Sequence, residues 1–248
     1  MKKILTTIII ATVCIAGAFA YTDNFNSTNT NPEYLDLIST LKNNESEKVV
    51  LEKYNKYIAN PEHTDVEKAR IEVPVSRYYK DRNNKEKARE HVALMREKID
   101  SIDKSSITDF EAKVLEAECV SANYYVDKKM SEGFKSSDLT KDIVAAYPDD
   151  VFTILTDSWR LIYTPGIAGG SPKKAIRTVE ALLKNYEKEL TIPDKYSAYA
   201  ALAIAHHMRD EYEKADKYFE KAFTIYTGEA DVVESYRKNQ EELKKLSD

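Results

Sequence analysis

From Pro32 onward, apolar residues recur three and four positions apart and polar residues fill the rest of each turn. That period belongs to helices with one covered face. No segment carries the sustained apolar–polar alternation that marks a half-buried strand. The pattern predicts helices over about 32–42, 45–59, 64–82, 84–100, 107–128, 135–146, 149–164, 172–188, 194–208, 211–226 and 229–246. Asn44, Thr64, Thr108 and Ser171 stand where helices should begin, and Pro61, Pro148, Pro165 and Pro193 fall at the breaks. Pro74 lies inside ARIEVPVSRYYK instead, which predicts a kink or a short break there.

The most informative stretch is 149–188. Val151, Phe152, Ile154, Leu155, Trp159, Leu161, Ile162 and Tyr163 cover more than one stripe of its first helix, so that helix needs cover on more than one side. The run TPGIAGG from Thr164 then breaks it, because proline cannot continue the ladder and glycine tolerates positive φ. Ser171 and Pro172 suit the N-cap and first position of a second helix, whose apolar face is Ala175, Ile176, Val179, Leu182, Leu183 and Tyr186. The prediction is an antiparallel hairpin around a glycine- and proline-rich elbow. The fold class predicted for the whole chain is all-α.

Gaps between helices are short, so neighbours should pack antiparallel. Consecutive hairpins of about 30–45 residues suggest a helical solenoid, in which each pair buries its face by stacking on the next. The clearest unit is 196–226, with Tyr199, Leu202, Ala203 and His206 followed by Ala215, Phe219 and Ala222. Its alternation of large and small residues resembles a tetratricopeptide (TPR) repeat, with His206 at a usual aromatic position and Thr227 at a usual proline. A second unit carries Ser76, Tyr79, Ala88, Val92 and Met95, the 149–188 hairpin is a third, 107–148 is an imperfect fourth, and 34–59 reads as either a fifth or an N-terminal cap. The resemblance implies a right-handed solenoid of about five helix pairs with a C-terminal capping helix, forming one domain over 32–248. The elbow residues Tyr163, Pro165, Gly169, Gly170 and Ala175 also resemble an elbow in exported bacterial TPR-like proteins. These include the T-component (TatT-like) proteins associated with TRAP transporters. That second resemblance implies a solute-binding partner protein and a hydrophobic pore or groove.

Residues 1–20 read as a cleaved export signal. Lys2 and Lys3 precede an apolar run, and Ala18-Phe-Ala20 forms a small-x-small cleavage site after Ala20. The competing reading is an uncleaved anchor, since residues 4–22 carry no charge. Cleavage implies a periplasmic or secreted protein with no membrane span. Residues 21–31, YTDNFNSTNTN, are polar and without period, which predicts a flexible tether. Formal net charge is −5, and losing Lys2 and Lys3 makes the remainder more negative. An acidic, evenly salted surface disfavours nucleic acid and anionic membranes as partners. Cys119 is the only cysteine beyond the signal and lies on a helical apolar face, so it reads as a small core residue.

No catalytic constellation emerges. His206 and Asp210, and His207 and Glu211, have the i,i+4 spacing of metal ligands, yet adjacent histidines point about 100° apart on a helix. Ser171 lacks the G-x-S-x-G context of a nucleophile, and the glycines before it follow a helix rather than a strand. The expectation is a non-enzymatic protein with no cofactor and no metal. In a TPR-like stack the first helix of each pair lines the inner groove. This places Phe152, Leu155, Trp159 and Tyr163 in the groove, then Ile204 and His207, with Arg70, Arg77 and Lys80 as a basic edge. The alternative for Trp159 is a core position between hairpins. The leading functional expectation is an exported scaffold binding a protein or peptide partner of the cell envelope in that groove. The alternative is an accessory protein of a TRAP-type system that binds a small hydrophobic solute in a cavity bordered by Phe152, Trp159 and Ile167. A metal-dependent hydrolase using His206, His207 and Glu211 ranks behind both.

Overall fold

The computed structural model describes residues 21–247, and among them every regular element is helical. The export-signal reading of residues 1–20 lies outside the described residues. After a short α1 (Asn26–Thr30) come α2 (Pro32–Lys42) and α3 (Glu47–Ala59), which pack together. The stretch expected as one helix over 64–82 is two, α4 (Asp65–Arg70) and α5 (Glu72–Asp81). Pro74 has no N–H to offer the Arg70 carbonyl, so the ladder breaks one turn before it, at Ile71. Next come α6 (Lys85–Ser101) packed on α5, and the hairpin of α7 (Asp109–Asp127) and α8 (Met130–Ala146).

The 149–188 hairpin forms as expected, with α9 (Val151–Tyr163) packed on α10 (Pro172–Tyr186). Its elbow is a single 3-10 turn, Gly166–Ala168, closed by Gly169 at φ 92°. A Cβ on Gly170 would lie 1.6 Å from the Thr164 carbonyl oxygen, so only glycine fits. Ser171 accepts from the Lys174 N–H and starts α10 as predicted. Thr64 and Thr108 also cap as predicted, each in a reciprocal capping box with the glutamate three residues on. Asn44 does not: it takes a left-handed turn conformation at φ 57°, and the helix begins three residues later.

The last elements are α11 (Ile192–His207), α12 (Tyr212–Phe223) and α13 (Ala230–Ser247). Tyr196, Ala198 and the unbroken run Ala200 to His206 are all buried, so α11 is enclosed on nearly every side, by α9, α10, α12 and α13. Its alanines let those neighbours approach.

Two features of the fold go beyond the expected stack. The ends meet: Lys42 pairs with Glu229 at 2.6 Å, and the Thr227 N–H donates to the Asn43 side-chain oxygen at 3.1 Å. Gly228 makes this possible, since a Cβ there would stand 2.4 Å from the Lys42 carbonyl oxygen. The second feature corrects the tether over 21–31. Thr22 exchanges backbone hydrogen bonds with the Asp149–Val151 segment, Asn24 donates to Asp150, and Asn29 donates to Asp194. Phe25, 4% exposed, packs among Phe110, Phe152 and the Arg70 guanidinium. Asparagine side chains with carboxylate partners, together with one aromatic anchor, order a segment whose composition alone reads as solvated.

Candidate functional site

The structure separates the nine residues expected in the groove into two groups. Leu155 and Ile204 are buried in the main core and cannot line a surface. Phe152 is half-buried in a second core cluster, edge-on to Phe25 and Phe110. Arg70 is no basic edge: it holds Glu118 through two hydrogen bonds of 2.9 and 3.1 Å, and the Phe25 ring covers it at 3.5 Å. His207 is a joint between helices, with Nδ1 3.1 Å from the Asn239 side-chain oxygen, while the Asn239 amide donates to the Tyr212 carbonyl. The docked N-terminal segment therefore occupies the part of the expected groove that Phe152 and Arg70 were to form.

Trp159, Tyr163, Arg77 and Lys80 do come together. The Trp159 indole N–H donates to Ser197 Oγ at 2.9 Å, which fixes its half-buried ring against the core edge. Tyr163 stacks on it, with ring centroids 5.9 Å apart and planes 9° from parallel. Trp159 thus has one side against the core and its ring stacked on the exposed Tyr163. The Tyr163 hydroxyl donates to Asp231, at the start of α13, at 3.2 Å.

Arg77 and Lys80 lie on α5, and their neighbours come from elements the sequence did not connect to them. The Arg77 guanidinium stands 5.4 Å from the Tyr125 ring centre near the end of α7, and the Tyr125 hydroxyl donates to Asp81 at 2.6 Å. Lys128, which ends α7 in a left-handed conformation at φ 58°, brings its ammonium over Tyr125 at 4.4 Å and Tyr124 at 5.4 Å. Gly133 lets α8 approach here, since a Cβ on it would meet the Tyr124 ring at 2.9 Å.

Two groups of this cluster are shifted by their surroundings. Tyr163 is 57% exposed, yet desolvation, then the Asp231 charge, pushes its hydroxyl well up. Lys128 is exposed, yet desolvation, then the charges of Lys80 and Arg77, pulls its ammonium down. Burial likewise raises Asp81, whose carboxylate feels Asp231 and Arg77. Tyr125 thus ties the end of α7 to α5 through Asp81, and Tyr163 ties the end of α9 to the start of α13 through Asp231. Tyr125, Lys128 and Asp231 were missed from the sequence because only packing brings them beside Arg77 and Tyr163, whereas Asp81, four residues after Arg77 on α5, was local and overlooked. The local signal was the i,i+4 spacing of Arg77 and Asp81 on one predicted helix.

The histidine constellation comes apart. His206 turns to Glu211 (Nδ1 to Oε2, 2.6 Å), which holds that carboxyl down at about 2, while His207 turns to α13. Among the described residues no group of three or more His, Cys, Asp and Glu side chains gathers to hold a metal. Cys119 lines a recess of about 300 Å³ with Arg96 and Lys135, but burial pushes its thiol up and away from the reactive thiolate. Among the described residues no helix is long and apolar enough to cross a membrane. No protein-family model matches the chain, and neither the curated proteins nor the solved structures contain a match.

Proposed function

We propose that the protein is an exported, non-enzymatic scaffold of TPR-like solenoid character that binds a protein or peptide partner of the cell envelope. The proposed binding surface bears Arg77, Lys80, Lys128, Trp159 and Tyr163. The carrying observation is the exposed Tyr163 stacked on Trp159, with Arg77 and Lys128 gathered at the Tyr125 ring. Rigid aromatics and arginine, held by packing, are the residues that dominate binding energy in protein interfaces. Hairpin-on-hairpin packing along the chain supports the solenoid reading, with α13 as its cap. The return of α2 to the α12–α13 connection makes this a tighter arrangement than an open stack.

The solute-handling alternative asks for one apolar cavity bordered by Phe152, Trp159 and Ile167. Phe152 instead packs with Phe25 and Phe110, and Ile167 projects fully into solvent from the elbow, so the peptide reading is favoured. A photoreactive phenylalanine analogue in place of Tyr163, introduced in the producing cell, tests it. The expected outcome is a crosslinked polypeptide that disappears when Arg77→Glu is added. Equal crosslinking from Lys217, whose surroundings are Glu180, His206 and Tyr218, would count against a specific surface.

A further inference from the structure

A recess of about 280 Å³ lies between α10, α11 and α12, lined by Glu180, His206, Lys214, Lys217, Tyr218 and Lys221. His206 is its most enclosed member, 2% exposed, with the Tyr218 ring stacked on it at 5.5 Å between centroids and 6° from parallel. One edge of the imidazole is satisfied: Nδ1 stands 2.6 Å from Glu211, whose carboxyl is held down at about 2 and is therefore ionised. A neutral imidazole facing a carboxylate carries its proton on Nδ1, which leaves a lone pair on Nε2. That Nε2 is buried and has no hydrogen-bond partner. Glu180 Oε1 stands 3.9 Å from it, beyond hydrogen-bond reach and itself an acceptor. Two acceptors thus face one another with no donor between them.

The charges around this gap are of both signs. Lys214 is matched by Glu211 at 3.4 Å. Among the described residues, no carboxylate oxygen comes within 4.0 Å of the Lys217 or Lys221 ammonium, and no lysine or arginine nitrogen comes that close to Glu180. Lys221 lies over the Tyr199 and Tyr218 rings instead, at 5.2 and 5.5 Å. The other carboxylate that Tyr218 feels, Glu187, accepts from the Tyr199 hydroxyl. Two unmatched cations therefore stand with two carboxylates that no cation neutralises, and neither sign prevails.

We infer that this recess binds a small zwitterion, an α-amino acid in class. Its ammonium donates to His206 Nε2 and Glu180, and its carboxylate meets Lys217 and Lys221. A span of 3.9 Å is one that a single ammonium bridges with two N–H bonds of about 2.9 Å, and the exposed Glu180 side chain is free to adjust. A divalent metal is disfavoured, because one imidazole and one carboxylate are too few ligands and two free lysines repel it. The volume falls just under the range of about 300–1,000 Å³ typical of drug-sized ligands, which suits a small molecule rather than a peptide. The recess shares no residue with the surface bearing Arg77 and Tyr163, so the two assignments stand or fall separately.

The test is isothermal titration of the purified protein with each standard α-amino acid, beside the amine and the acid that lack its carboxylate or its ammonium. Leucine, for example, is run beside isopentylamine and isocaproate. At least one amino acid should bind, with its amine and acid counterparts each at least about tenfold weaker. Glu180→Gln and Lys217→Met, both at exposed positions, should each weaken that binding at least about tenfold while leaving thermal unfolding of the free protein unchanged. The nitrogen NMR signal of His206 Nε2 should move as the amino acid is added. No binding by any amino acid at concentrations up to about 10 mM would overturn the assignment, as would binding that neither variant weakens. An acid counterpart that binds as well as its amino acid would show a plain anion site, and zinc binding more tightly than any amino acid would show a metal site. Either result would overturn the zwitterion.

Discussion

Asp194 sits near the start of α11, 8% exposed, with Thr191 and Asn29 as hydrogen-bond donors. Burial outweighs those donors and lifts its carboxyl to about 6 from 3.8. The folded chain therefore holds this proton more tightly than the unfolded chain, and its contribution to stability falls as pH rises from about 4 to above 6. The full shift corresponds to a ceiling of about 3 kcal/mol. Asp194→Asn should be more stable than wild type near pH 7.5 and about equal to it near pH 4, read by chemical denaturation; a pH-independent difference would contradict this. Phe25 offers a second test. If its ring closes the small core cluster, Phe25→Ala should cost about 3–5 kcal/mol, whereas a tether residue would cost almost nothing. Neither role was legible in the sequence. An Asn/Thr-rich run with one phenylalanine looks solvated until the carboxylates of Asp150 and Asp194, more than a hundred residues away, are seen to receive its amides.

Among the elements, those with a local cause were legible and those with a distant cause were not. The α9–α10 elbow is specified by neighbours in sequence: Pro165 ends the helix, Gly169 takes a left-handed turn, and Ser171 caps α10. Because a Cβ on Gly170 would overlap the Thr164 carbonyl, Gly170→Ala should cost at least about 2 kcal/mol and lower the melting temperature measurably. A neutral substitution would mean that the elbow has another way to fold. The break at Ile71 was legible as a consequence of Pro74, though one turn away from it. The first turn of α8 was not. It depends on Gly133 fitting against the Tyr124 ring, a contact that the polar run MSEGFK does not announce. The candidate site obeys the same rule. Arg77, Lys80, Trp159 and Tyr163 stand out as residues of suitable type on predicted helices, whereas the periodicity that suggested Leu155 and Ile204 marks a core face equally well.

At the scale of the whole molecule, the meeting of α2 with the segment before α13 changes what kind of unfolding is expected. Open repeat stacks can fray from one end, because each pair contacts only its neighbours. Here the first hairpin is tied to the last through Lys42, Asn43, Thr227 and Gly228, and a single core cluster runs from Leu37 to Val232. Helicity by circular dichroism and Trp159 fluorescence should therefore be lost in one coincident thermal transition, and two separated transitions would contradict the closure. The proposed binding surface is the one that bears Arg77 and Tyr163. The most direct measurement of its role is native mass spectrometry of the protein isolated gently from the producing cell, beside an Arg77→Glu version prepared identically. The expected result is a wild-type population carrying a second polypeptide that the variant lacks. A wild-type protein carrying only a small-molecule mass, or equally bare in both preparations, would contradict it.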